Sequence, residues 1–88
     1  MIFISLGKFK EKPSNGMVQQ STKTIQEELQ KTGIKILGWY WTLGRYDVAV
    51  TFEAPGEKEA LKMAITVSDF VWIETLTAIP REEAIKLL

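Results

Sequence analysis

The sequence predicts an α+β domain: four antiparallel strands with two helices on one face, in the order βαββαβ. Three observations carry that reading. Trp39 to Val48 (WYWTLGRYDV) is an aromatic strand that runs into a turn at Gly44-Arg45-Tyr46-Asp47 and out into a second strand. Two stretches on either side of this hairpin change to helical periodicity, and the chain begins and ends its ordered part with apolar segments of strand length.

The elements follow in order. Ile2 to Phe9 is the first strand, and Lys10 to Gly16, with Pro13, Ser14 and Asn15, is a loop leading into a helix. Val18, Thr22, Ile25 and Leu29 recur at i, i+4, i+7 and i+11, while Gln19, Lys23, Gln26 and Gln30 make the opposite face polar. That helix covers something on one side only and ends at Gly33 in a left-handed conformation. Ile34 to Leu43 and Asp47 to Glu53 form the hairpin; Gly44 tolerates the positive φ that the primed turn of a two-residue hairpin needs. Ala54-Pro55-Gly56 stops the third strand. Glu57 and Glu59 then meet the positive end of a second helix, whose stripe is Leu61, Ala64, Ile65 and Ser68, widened by Ala60, Met63 and Val67. Val71 to Ile79 is the fourth strand, and Pro80 opens a short helical tail with Ile85 and Leu88 on one side. Residues 1–88 form a single domain, with the tail at 80–88.

Right-handed crossovers place the strands in the order 4-1-3-2 and leave one sheet face without helices. With an even-length hairpin loop, Leu37, Trp39, Trp41 and Leu43 share the helix-covered face with Val48, Val50 and Phe52. Ile36, Gly38, Tyr40, Thr42, Asp47, Ala49, Thr51 and Glu53 then take the other face; an odd loop inverts the assignment. Four strands about 4.8 Å apart and roughly six residues long make a face of roughly 400 Å². Phe3, Tyr40 and part of the fourth strand (Trp72 and Leu76, or Ile73 and Ile79) are expected there, and a second copy packed face to face is the economical cover. A homodimer, or a higher oligomer built from it, is therefore expected, with Ile85 and Leu88 capping the neighbouring subunit.

Composition narrows the chemistry. Eleven Lys plus Arg balance eleven Asp plus Glu, so no net field draws the chain to nucleic acid or an anionic membrane. The chain has neither Cys nor His. That removes thiolate nucleophiles, zinc–sulfur sites, the commonest general base and the usual proximal haem ligand. No cofactor or metal ligand set is legible, and no pair of carboxylates has acid/base spacing. The start Met1-Ile2-Phe3-Ile4 lacks a cationic leader, which reads as a cytoplasmic protein.

The candidate ligand residues are Tyr40, Gly44, Arg45, Tyr46, Asp47 and Glu74. Arg45 can clamp a carboxylate and Asp47 can orient an amine or a water; the structural alternative is that Asp47 satisfies backbone donors of the turn. Trp39, Trp41 and Trp72 at strand spacing read as core, which leaves the hydroxyl-bearing Tyr40 and Tyr46 for a ligand. Glu74, in the apolar run Val71 to Leu76, is either a base with a perturbed pKa or the partner of Lys8, Lys35 or a symmetry-related cation. RNA binding, which the βαββαβ order allows, lacks the aromatic pair and basic entry on the third strand.

Tyr40 to Val48, followed by Glu53-Ala54-Pro55 and Glu74-Thr75-Leu76, resembles the GYD-domain family, whose Gly-x-Tyr-Asp element is here Gly44, Tyr46 and Asp47. The likeness extends over nearly the whole chain, from Ile4-Ser5-Leu6 onward. It implies a ferredoxin-like unit of the dimeric α+β barrel group and adds almost no chemistry. A weaker resemblance, to the effector domains of Lrp/AsnC-type regulators, rests on Gly44, Asp47 and Thr75 or Thr77; it implies a small ligand bound at a subunit interface near the turn. The expected function is a homodimeric domain holding a small molecule between subunits near residues 44–47. The alternatives are a cofactor-free oxygenase or isomerase and a purely structural dimer.

Overall fold

Sheet order and element order agree with the sequence reading in a computed structural model that describes all 88 residues. Strands β1 (Ile2–Phe9), β2 (Lys35–Trp41), β3 (Val48–Glu53) and β4 (Val71–Ala78) lie in the order β2-β3-β1-β4, every neighbouring pair antiparallel. Helices α1 (Asn15–Thr32) and α2 (Glu57–Val67) cover one face, and a single turn of helix, α3 (Arg81–Ala84), leads into a 3₁₀ turn at Ile85–Leu87. No helix is long and apolar enough to cross a membrane.

Local chemistry sets the helix ends. Ser14 caps α1, its Oγ accepting from the Met17 amide at 3.2 Å, and Gly33 ends it at φ 72°, in the left-handed region. Gly56 precedes α2, with Glu57 and Glu59 in the first turn. Glu28 of α1 is buried and pairs with the exposed Lys62 of α2 at 3.4 Å, tying the two helices together.

Register divides the sheet into cross-strand rows. On the helix-covered face the rows are Ile36–Phe52–Phe3–Thr77, Trp39–Val50–Ser5–Thr75 and Trp41–Val48–Gly7–Ile73. Only the first of these has two large rings at its centre, Phe3 and Phe52, stacked with centroids 5.5 Å apart. The core gathers there: Phe3, Ile34, Phe52, Ala54, Ala60, Met63 and Val67 are buried together. Ten of 88 residues are buried, so the isolated chain leaves much of its apolar surface uncovered.

Several sequence-based placements change. The β2–β3 connection is a six-residue loop, Thr42 to Asp47, instead of a two-residue turn, and both strands are shorter than expected. Its even length keeps Trp39 and Trp41 on the helix side with Val48, Val50 and Phe52. A β-bulge between Ile36 and Gly38 inserts Leu37, so Ile36 takes the inward place and Leu37 is exposed. Phe3 lies in the core, not on the open face, because the β1–β3 register sets it beside the inward-facing Phe52, on which its ring stacks. On α2 the buried stripe is Ala60, Met63 and Val67, while Leu61 and Ile65 are exposed. Leu43, Leu87 and Leu88 are fully or nearly fully exposed.

Candidate functional site

The 42–47 loop is held to the end of β1 by its aspartate. The Asp47 amide donates to the Gly7 carbonyl at 2.8 Å, and Asp47 Oδ2 accepts from the Phe9 amide at 2.9 Å. The carboxylate thus takes up the amide of the last β1 residue, beyond the final β1–β3 pair Gly7–Val48; the donor belongs to β1, not to the turn itself. Thr42 closes the loop from the other side, its amide donating to the Asp47 carbonyl at 2.8 Å and its Oγ1 to the Tyr46 carbonyl at 2.7 Å. Gly44 sits at the tip with φ 99° and no atom near where a Cβ would be. Lys8 Nζ donates to the Arg45 carbonyl at 2.9 Å, and the Arg45 guanidinium stands 5.9 Å from the Tyr46 ring.

Tyr46 crosses the helix-free face to β4, where its hydroxyl donates to Glu74 Oε2 at 2.8 Å. Glu74 takes this phenol, not Lys8 or Lys35, as its partner. That hydrogen bond, reinforced by desolvation and the Glu74 charge and opposed by Arg45, holds the phenol pKa above its ordinary 10.0. Tyr40, Ala49, Leu6 and Glu74 form one open-face row, so Tyr40 and Glu74 stand at opposite edges of the sheet, about 14 Å apart at 4.8 Å per strand. The Tyr40 ring folds back over Gly38, where a Cβ would come within 2.7 Å of Cε2. Of the six predicted ligand residues, the structure joins Gly44, Arg45, Tyr46, Asp47 and Glu74 into one bonded cluster and leaves Tyr40 across the face.

A mainly apolar cavity lies on the other side of the sheet. It has a volume of about 420 Å³ and sits beneath the helices, where the two rows with small central residues, Ser5 and Gly7, fail to fill the space that Phe3 and Phe52 fill farther along. Trp39 and Trp41 flank it on the β2 side; Met17, Val18 and Ile25 of α1 line its roof. Phe9 meets Trp41 edge-on at 5.0 Å at the loop end. Fourteen of the 18 lining residues are hydrophobic, and the polar ones are Ser5, Ser21 and Thr22; none is ionisable. Nowhere do His, Cys, Asp or Glu side chains form a group of three able to hold a metal ion.

None of the six predicted ligand residues lines this cavity. Sequence reasoning assigned Trp39, Trp41 and Trp72 to the core, yet they are 41%, 58% and 66% exposed. The legible signal was on β1: its inward positions read Phe3, Ser5, Gly7, Phe9, two small residues between two large ones in the middle of a helix-covered strand. Asp47 connects the two regions, because the residue whose amide it binds, Phe9, is part of the cavity wall.

Residues 3–88 match the family model of the GYD domain. No curated protein matches the sequence. Among solved structures the chain is similar to muconolactone isomerase, at 16% identity over 92% of this chain and 93% of that one, with a TM-score of 0.52. It is also similar to a dimeric ferredoxin-like protein of unknown function from Thermobifida fusca, at 13% identity over 88% and 89% of the two chains, with a TM-score of 0.53. At these identities the likeness concerns the fold, which is ferredoxin-like.

Proposed function

Because the chain belongs to the GYD-domain family and its Gly44-Tyr46-Asp47 turn is tied to the wall of an apolar cavity, we propose that it is a homodimeric module that binds a small uncharged molecule between its helices and its sheet. The observation that carries this reading is the cavity of about 420 Å³ with its mainly hydrophobic wall. Ligand pockets commonly fall between about 300 and 1,000 Å³ and combine apolar walls with a few polar groups. Burying a charge there without a counter-ion is strongly unfavourable, so the ligand is neutral. In this reading the molecule sits within each subunit, and residues 44–47 serve to hold the cavity wall in position. Hydroxyls without an ionisable group favour binding over proton transfer, and hence over an isomerase or oxygenase.

The dimer forms through the helix-free face, where Tyr40, Trp72 and Leu76 are 60%, 66% and 43% exposed around Ile4 and Leu6. Support comes from that surface and from the thin core of the isolated chain; the T. fusca protein of the same fold is described as dimeric.

Titration with naphthalene, followed by tryptophan fluorescence and thermal unfolding, tests the ligand site. At about 100 Kd a ligand stabilises by about 2.7 kcal/mol, and Ser21→Phe, which fills the cavity from α1, removes the response. No response to either naphthalene or 1-tetralone in the wild type would overturn the site. Sedimentation equilibrium tests the dimer: the wild type is dimeric at micromolar concentration and Trp72→Glu is monomeric. A monomeric wild type would overturn that half of the proposal.

A further inference from the structure

We infer that the Ser5–Thr75 hydroxyl pair is a donor site for a carbonyl oxygen of the ligand, so that the cavity selects flat neutral molecules carrying such an oxygen over pure hydrocarbons. This rests on the reading of the cavity as a ligand site. Ser5 is 7% exposed and lies on the cavity floor in the row Trp39–Val50–Ser5–Thr75. Its Oγ stands 2.8 Å from Thr75 Oγ1, its cross-strand neighbour.

Each hydroxyl carries one proton and two acceptor positions, and the contact between the two uses one of their two protons. Thr75 is not part of the cavity wall, whereas Ser5 is. With Thr75 donating to Ser5, the Ser5 proton is left to turn into the cavity, and the chain from Thr75 through Ser5 to an acceptor polarises in one direction. The hydroxyl of Ser21 is already engaged, donating to the Val18 carbonyl at 3.1 Å. Thr22, the remaining polar residue of the lining, lies on α1 and is only half-buried, so Ser5 is the buried polar group of the floor with a proton to offer. An alanine there would leave the same room for a ligand; the hydroxyl adds a donor in a place where an unmet donor is unfavourable.

The test compares 1-tetralone, naphthalene and 1-naphthoate binding to the full chain by fluorescence titration and calorimetry. Wild type binds tetralone and naphthalene and does not bind naphthoate. In Ser5→Ala the ratio of tetralone to naphthalene affinity falls about three- to tenfold, the range of one neutral hydrogen bond. Retained naphthalene binding shows that the variant is folded with its cavity intact. An unchanged ratio in Ser5→Ala overturns the donor assignment and leaves the cavity reading standing; tight binding of naphthoate overturns the restriction to neutral ligands, in the cavity reading and in this inference alike. If neither neutral compound binds the wild type, the cavity reading fails and this inference with it.

Discussion

Removing the Asp47 carboxylate tests whether the signature turn is structural. In Asp47→Ala the Phe9 amide, partly buried at the end of β1, loses an acceptor at 2.9 Å, while the backbone bond from the Asp47 amide to the Gly7 carbonyl stays. A hydrogen bond to a charged group contributes about 1.5–3 kcal/mol, and the half-exposed setting places this one near 2 kcal/mol. For a domain of this length each kcal/mol moves Tm by about 4–8 °C, so a fall of about 8–16 °C is expected at fixed protein concentration. Asp47→Asn keeps an acceptor oxygen and loses the charge assistance, which places it about 1 kcal/mol below wild type. Urea denaturation gives the free energies. Tryptophan emission gives a second reading, because Phe9 packs on Trp41 and loosening one exposes the other. A Tm of Asp47→Ala within about 2 °C of wild type, below what a quarter of the expected loss would produce, would refute the argument. So would an Asp47→Asn as unstable as the alanine variant, since the acceptor would then be irrelevant.

Three further outcomes follow from the same geometry. Gly44→Ala forces a side-chain-bearing residue to φ 99° in open space, a strain of roughly 1–2 kcal/mol without any clash, which a lowered urea midpoint with unchanged slope will show. Gly7→Ala puts a Cβ 2.9 Å from Val48 Cγ2 and is expected to destabilise by about 1–3 kcal/mol, with Val48→Ala recovering part of the loss in a double-mutant cycle. Tyr46 has its folded pKa raised above the unfolded value, chiefly by its bond to Glu74. Its contribution to stability is therefore complete below about pH 10 and is lost as pH climbs through the folded value. Titrating tyrosinate absorbance in a Tyr40→Phe background isolates Tyr46; Glu74→Gln shifts that midpoint down toward 10.0, and an unmoved midpoint would contradict the assigned cause.

Strand and helix identities, their order and the sheet topology were legible because each is encoded by neighbours along the chain. The helical stripe through Val18, Ile25 and Leu29, the left-handed stop at Gly33 and the period-two pattern of Val48, Val50 and Phe52 depend on local geometry that a linear pattern records. The family signature was legible for the same reason, since Gly44, Tyr46 and Asp47 lie within one loop. What folding alone decided is where these elements meet. The bulge at Leu37 depends on pairing between β2 and β3; the bond from Tyr46 to Glu74 spans 28 residues; and the link from Asp47 to Phe9 spans 38. The cavity is the furthest removed from local pattern. It exists because Ser5 and Gly7 fall opposite Trp39, Trp41, Val48 and Val50 beneath α1, a packing deficit shared by four elements that no single segment displays.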